Sequence, residues 1–333
     1  MDQPYLKIRA TDPDGTTANI TELCKSITWS GDWRNAARTL RYSPVACQDD
    51  PRLPRAPTQL GGSVQFWHEG ELLMDAFALE RSRDSLGKTI DVTAYDRGIY
   101  LTRNSAFLRV DGQTPEGVTA ALCGQFGIPV GSLAATGVAL TRNFLGVPLY
   151  KIIMTLYTLA ADETGKQYRI RFRGPRLEVV EMAVSEETIL LKPGCNLLGC
   201  VTKESASAMT NSVAIYDEQC NLISTQQDEA AVKLYGLMQA AIRAKSYDDP
   251  EGHAQQVLKE NGLKTTITLT ALGNLKLITG NTVAVEEPVT GTYGLFWIIS
   301  DSQSITRNIY QSKLTLSLEG LMDRQTAGSL PTK

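Results

Sequence analysis

The chain has 333 residues, 42% hydrophobic and 21% charged, with 33 Lys+Arg against 36 Asp+Glu for a net charge of −3. Those proportions exclude wholesale disorder, and the near balance of charge lacks the basic footprint of a nucleic-acid binder. At about 100–200 residues per domain, the length predicts two domains, or three small ones.

The first residues, MDQPYLKIRATDPDG, have no basic stretch followed by an apolar core, so no signal peptide is expected. No apolar run reaches the ~20 residues of a membrane-spanning helix. The chain is therefore expected to be made in the cytoplasm, with Cys24, Cys47, Cys123, Cys195, Cys200 and Cys220 as free thiols.

From Leu6 to Tyr95 short alternating runs (LKIRA, SITW, TLRYSPV, SVQFW, LLMDAFALERS, TIDVTAY) are broken by turn residues, which predicts an antiparallel β region. Within it, Ser30-Gly31-Asp32 is expected to turn the chain, with Leu40 and Tyr42 on one face of the next strand. The texture changes near Asp96. Thr114-Pro115-Glu116 is a helix start, and a second helix is expected over Leu149 to Glu163, where Ile152, Leu156, Leu159 and Ala160 recur at helical spacing before Gly165. QYRIRF and RLEVVEM then read as strands across Gly174-Pro175. Strand patterns return with TILLK, LLGCVTKES and SVAIYDE. A helical stretch is predicted over 229–244, continuing through 250–261, before KTTITLTAL, NTVAVEE, GLFWIIS, SQSITRN and SKLTLSLEGL.

The residue types that move protons or hold metals are sparse. His68 and His253 are the only histidines, Cys195 and Cys200 lack the second pair a structural zinc site needs, and there is no G-x-S-x-G. Ser-Leu-Gly-Lys-Thr at 85–89 resembles the end of a phosphate loop, but Ser82 stands where its first glycine belongs and a strand follows. Asp12-Pro13-Asp14-Gly15 lacks the remaining ligands of a calcium loop. No catalytic, cofactor or metal residue is assigned. Trp29, Trp33 and Trp67 could stack sugars or bases, or anchor a core.

The order of these features carries a resemblance. The run ITWSGDWRNAARTLRYS, with W-S-G-D followed by Arg38-Thr39-Leu40, resembles the opening of baseplate hub proteins of contractile phage tails and tail-like bacteriocins, in particular the PBSX-type prophage family. LGGSVQFWHEGELLMDAFALERS, AYDRGIYLTRN, the helical stretches after Thr114 and 149, GNLKLITGNTVAVEE and GLFWIISDSQSI resemble later parts of the same family in the same order. The Pro- and Arg-rich segment 48–59 departs from it.

The resemblance implies an α+β, mainly β fold: two tail-tube-like antiparallel β-barrel domains with an α+β insertion between them. The first would be 1–103, completed by strands from about 188–216. The insertion would be 104–187. The second barrel would be 188–322, including the helical stretch 229–261, and 323–333 would be a flexible tail. It also implies a non-enzymatic structural hub. Three copies would form a pseudo-sixfold ring joining the hexameric tail tube protein to the trimeric central spike protein. Neighbouring baseplate or LysM-type tail proteins would be further partners, with no membrane and with DNA only passing through the lumen. Made in the bacterial cytoplasm, it would be assembled into a virion baseplate or a released bacteriocin particle. Trp29, Asp32, Trp33, Arg34, Arg38, Leu40, Tyr95, Asp96 and Arg97 are the expected structural or subunit-contact residues, and hairpins such as 64–81 would pair with neighbouring subunits. A β-rich carbohydrate- or receptor-binding tail module and a tail-tip peptidoglycan hydrolase are the alternative functions.

Overall fold

In the computed structural model, residues 6–46, 55–84, 88–246, 249–307 and 309–330 are described. Most of the segment 48–59 and Ser85-Leu86-Gly87 lie outside them. The described chain is half strand and less than a fifth helix, in several sheets that are mostly antiparallel; among the described residues none closes into a barrel. Its residues group into two packing units, 1–199 with 269–333, and 200–268.

The first unit opens with strands β1 (Leu6–Thr11), β2 (Thr17–Asn19), β3 (Cys24–Asp32), β4 (Thr39–Pro44), β5 (Ser63–His68), β6 (Glu71–Arg83) and β7 (Ile90–Asp96). They lie side by side in the order β3-β4-β7-β6-β5-β1-β2. Alternation decides which face is covered: Leu6, Ile8 and Ala10 of β1 and Leu40 and Tyr42 of β4 point inward. With Trp29, Phe66 and Met74 they form one apolar core. Each such fully buried side chain contributes roughly 1.5–3 kcal/mol. The 64–81 hairpin is not a free pair of strands, because β5 is bonded to both β1 and β6, and β6 to both β5 and β7.

Helix α1 (Gly98–Arg103) leads into β8 (Ser105–Gln113), α2 (Pro115–Gln125), β9 (Val130–Leu133), β10 (Leu140–Pro148), α3 (Leu149–Thr164), β11 (Tyr168–Arg173) and β12 (Arg176–Glu181). Thr114 caps α2 by accepting from the Gly117 N–H at 3.3 Å, and Gly165 ends α3 in the left-handed conformation that glycine tolerates. The two expected helices and the 168–181 hairpin therefore stand. Strands β8 and β10, which pair with each other, were not legible, since β8 buries only Ala106 and Val110. Helix α3 is buried on most sides rather than along one stripe, and it centres a second core with Leu101, Phe144 and Tyr168.

Strands β13 (Ile189–Leu191) and β14 (Leu197–Ser205) lead to the second unit. There β15 (Ser212–Tyr216) lies between β16 (Leu222–Gln227), antiparallel, and a parallel partner. Helix α4 (Glu229–Tyr235) is short: Gly236 ends it at a positive φ of 82°, and the residues expected to continue the helix form that parallel partner, β17 (Gln239–Arg243). Its alternation turns Ala240 and Ile242 toward α5 (Pro250–Glu260), where they join Val213, Ile215 and Ala254. Burial against a sheet outweighed the helix propensity of the alanines.

The chain returns along β18 (Lys264–Leu272) to β19 (Thr282–Glu287), β20 (Thr292–Thr306) and β21 (Ile309–Ser317). β13 pairs in parallel with β19. GLFWIIS and the SQSIT of SQSITRN, expected in two strands, lie in one 15-residue strand, β20. It pairs with β19 and β21, and through Ser300–Thr306 with β3, joining the C-terminal strands to the N-terminal sheet.

The tail is not loose over the described part of 323–333. Met322 is buried in the second core, Tyr150 donates to Asp323 at 2.6 Å, and Arg142 donates to the carbonyls of Ala327 and Gly328 at 2.5 and 3.2 Å. Its polar composition concealed anchors supplied by distant residues.

At the β3–β20 seam Gln303 is 3% exposed. It donates to the Leu277 carbonyl at 2.6 Å and accepts from Ser312 at 2.5 Å and Tyr310 at 3.1 Å. Gln303→Leu leaves three buried polar groups without that partner and is expected to cost about 1–3 kcal/mol in urea unfolding. A loss under about 0.5 kcal/mol, the scale of an ordinary surface change, would mean that this network does not hold β20 to β21 and Leu277.

Candidate functional site

The Trp-Ser-Gly-Asp run lies in β3, not in a turn. Pairing extends through it to Trp33, whose N–H donates to the Ile299 carbonyl at 2.9 Å. The turn comes after it, where Asp32 accepts from the backbone N–H of Arg34 at 3.0 Å through its carboxylate and of Asn35 at 3.1 Å through its carbonyl. Gly31 serves close approach instead: a Cβ there would fall 2.3 Å from Arg38 Nη1.

Arg38 occupies that space. Its guanidinium lies over the Trp29 ring at 3.9 Å and grips Asp301 with two bonds, Nη1 to Oδ1 at 2.9 Å and Nη2 to Oδ2 at 2.6 Å. The Asp301 side chain is fully buried, and Oδ1 also accepts from the Thr279 N–H at 2.8 Å and hydroxyl at 2.7 Å. A carboxylate saturated by a planar bidentate partner and a backbone donor is the arrangement in which a buried charge is tolerated.

The Tyr95-Asp96-Arg97-Gly98 run locks the other side. Asp96, 2% exposed, accepts from the backbone N–H of Arg38 at 3.1 Å and of Gly98 at 2.9 Å. Burial pushes its carboxyl up to about 7, against the lowering effect of those donors and of the Arg38 charge. Arg97 donates through Nε and Nη2 to Asp75 at 3.0 and 2.8 Å and lies over the Phe77 ring. A Cβ on Gly98 would fall 2.2 Å from the Ala36 carbonyl oxygen, so glycine lets α1 start directly against the 33–38 turn.

Trp29, Asp32, Trp33, Arg38 and Asp96 thus converge on one cleft of about 240 Å³, which Tyr150, Arg169 and Trp297 also line. Leu40 belongs to the core behind it. Tyr95 donates instead to Glu80 at 2.7 Å, and Arg34 is exposed, with its guanidinium 4.7 Å from the Trp33 ring. Trp29 is 5% exposed beneath Arg38, which removes it from any surface stacking platform. Asp301, Thr279 and Asp75 were missed; the available signal was an aspartate inside each of the strand-like runs LLMDAFALERS and WIISDSQS. Among the described residues no group of three or more His, Cys, Asp and Glu is arranged to hold a metal ion, and no helix is long and apolar enough to cross a membrane.

The segment that contains this whole arrangement, residues 27–317, matches the YQBQ-like family model. The chain belongs to the YQBQ-like family. It is similar to the phage-like element PBSX protein XkdQ of Bacillus subtilis (strain 168), at 22% identity over 289 residues, covering 84% of this chain and 87% of that one. Its fold is similar to that of the 43 kDa tail protein of prophage MuSo2 from Shewanella oneidensis, with a TM-score of 0.68 and 13% identity over 96% of this chain and 99% of that one. The E. coli c3393 protein, a component of the type VI secretion system with structural similarity to the T4 bacteriophage tail proteins gp27 and gp5, gives a TM-score of 0.51 at 12% identity over 93% and 76%. At these identities the two structures share the fold.

Arg38→Met strands the Asp301 carboxylate and is expected to cost about 3–5 kcal/mol, whereas adding Asp301→Leu recovers most of that loss. Urea unfolding of the four members of the cycle measures it, and independent, additive losses would contradict a coupled pair. For Asp96, the folded value of about 7 stands above the ordinary 3.8, so the folded state holds the proton more tightly. Its contribution to stability is present below pH 4 and is lost as pH rises from about 4 to 7, at about 1.4 kcal/mol for each pH unit. Unfolding free energies of the wild type and Asp96→Asn between pH 4 and 8 should diverge with that slope, and parallel profiles would contradict it.

Proposed function

We propose that this YQBQ-like protein is the baseplate hub of a contractile tail or tail-like particle. Three copies form a ring, presenting a pseudo-sixfold face to the hexameric tail tube and carrying the trimeric central spike on the other. The observation that carries this reading is the extent of the likeness, which runs almost end to end through both this chain and a prophage tail protein. In this reading residues 1–103 and 188–322 are the two tube-like regions, each completed as a barrel in the assembled ring, and 104–187 is the insertion between them.

Three features favour function through association. The large sheet ends in β2 on one side, and among the described residues β13 is bonded only to β19, so edges remain that a neighbouring subunit can cover. Val289 and Tyr293, beside the β19–β20 connection, hold apolar surface in water at 91% and 58% exposure. Trp29 and Arg38 of the 27–43 run are committed inside the subunit, so this part of the run acts as a lock that gives the ring surface a fixed shape. The exposed members of the run, Arg34 and Arg41, remain for contacts with other chains. The partners are the tube protein, the spike protein and neighbouring baseplate or LysM-type proteins. DNA only passes through the lumen, no catalytic step is assigned, and the protein is made in the bacterial cytoplasm before assembly into the tail.

Native mass measurement of the purified full chain, alone and mixed with its tube and spike proteins, tests this reading. The expected species contains three copies of the 36.4 kDa chain. A chain that stays monomeric alone and in the mixture overturns it.

A further inference from the structure

We propose that the cleft beside the β3–β20 seam is a binding site for a carboxylate carried on an apolar body, received by Arg169. This goes beyond the hub reading and does not rest on it.

Three of the four arginines that line the cleft are ion-paired, while its carboxylates Asp32, Asp96 and Asp323 accept from neutral donors. Arg38 is paired with Asp301, Arg171 with Glu178 at 2.7 Å and Arg173 with Glu71 at 2.7 Å. Asp96 accepts two backbone N–H groups. Asp323 accepts from Tyr150 and Gln325, and Asp32 from the Arg34 N–H. Of the four lining arginines, Arg169 alone makes no hydrogen bond to a carboxylate among the described residues, although Asp301 and Glu178 lie near enough to act on its charge; its one hydrogen bond runs from Nη1 to the Thr279 carbonyl at 2.7 Å. A guanidinium carries five N–H donors, so most of them remain for a guest. Burial, with Arg171 and Arg38 nearby, pushes Arg169 down to about 10, which leaves it charged at neutral pH.

The seat is built. Gly280, at φ 85°, leaves a flat space in which the guanidinium lies, and a Cβ there would fall 2.2 Å from Arg169 Cζ. Two donors behind the wall, Trp29 Nε1 and Arg38 Nε, are buried without an acceptor. Trp33, Met154, Met182 and Trp297 supply the apolar surface. A volume of about 240 Å³ is on the order of eight water volumes, enough for a side-chain-sized group. A planar carboxylate can take two parallel bonds from such a fork. It can arrive on a free small molecule or on an acidic side chain of another polypeptide.

Because Trp33 and Trp297 line the cleft, tryptophan emission of the full chain reads occupancy. Two probes are titrated, phenylacetate and the capped peptide acetyl-Leu-Glu-Phe-amide, each against its neutral counterpart, phenylacetamide and acetyl-Leu-Gln-Phe-amide. Saturable binding of at least one carboxylate, about tenfold or more tighter than its neutral partner, is expected, one decade being the effect of 1.4 kcal/mol. A tighter peptide identifies a polypeptide side chain as the source, and a tighter phenylacetate a free carboxylate. Arg169→Gln should abolish the discrimination and Arg171→Gln should keep it, with circular dichroism confirming that both are folded. Equal binding of charged and neutral partners by the wild type overturns the proposal whatever the variants do. So does discrimination that survives in folded Arg169→Gln. The hub reading fails on oligomeric mass instead, so the two failures are distinct.

Discussion

The pairing of β3 with β20 is the constraint on which the rest of the first unit depends. It brings residues 26–32 against 300–306 and makes one continuous sheet from strands at the two ends of the chain. Side-chain period fixes such a pairing only to within two residues, since a slip of one flips every side chain and a slip of two restores the faces. The buried polar groups remove that ambiguity. Asp301 meets Arg38 only when it stands opposite Gly31.

A buried ion pair contributes little net stability against an apolar replacement, but stranding either partner is expensive. The Arg38–Asp301 pair therefore discriminates between registers more than it adds to the total. Its setting supports the same end: Trp29 stacks under the guanidinium, Gly31 clears its path, and Asp96 holds the Arg38 backbone. Three segments distant in sequence, around Trp29 to Arg38, Asp96 and Asp301, act as one unit through these contacts. On the hub proposal such a lock is an advantage, since loops free to rearrange would lose ordering entropy at every contact.

The cleft follows from the same geometry. A planar guanidinium over Trp29, a turn at 33–38 and β11 from the central α+β segment do not close against one another, and the gap is bordered by a further arginine that hydrogen-bonds no carboxylate among the described residues. A half-buried arginine with donors left over at the mouth of a cleft is a candidate for binding.

Much of this was legible in the sequence. Alternation in LKIRA, SVQFW and TIDVTAY, the Thr114-Pro115 start of α2, the spacing within α3 and the glycine after it each act through neighbours a few residues away, so local sequence determined them. The linear order of motifs also sufficed to place the chain in its family. The partners of those motifs were decided only in the tertiary structure. Gln239–Arg243 became a strand because β15 lay beside it, the polar tail docked because Arg142 and Tyr150 reached it, and Ser30-Gly31-Asp32 stayed extended because β20 paired with it. The physical reason is range: turns and caps are local bonds, whereas the partner of a buried charge or a strand edge is set by whichever distant segment closes the core around it.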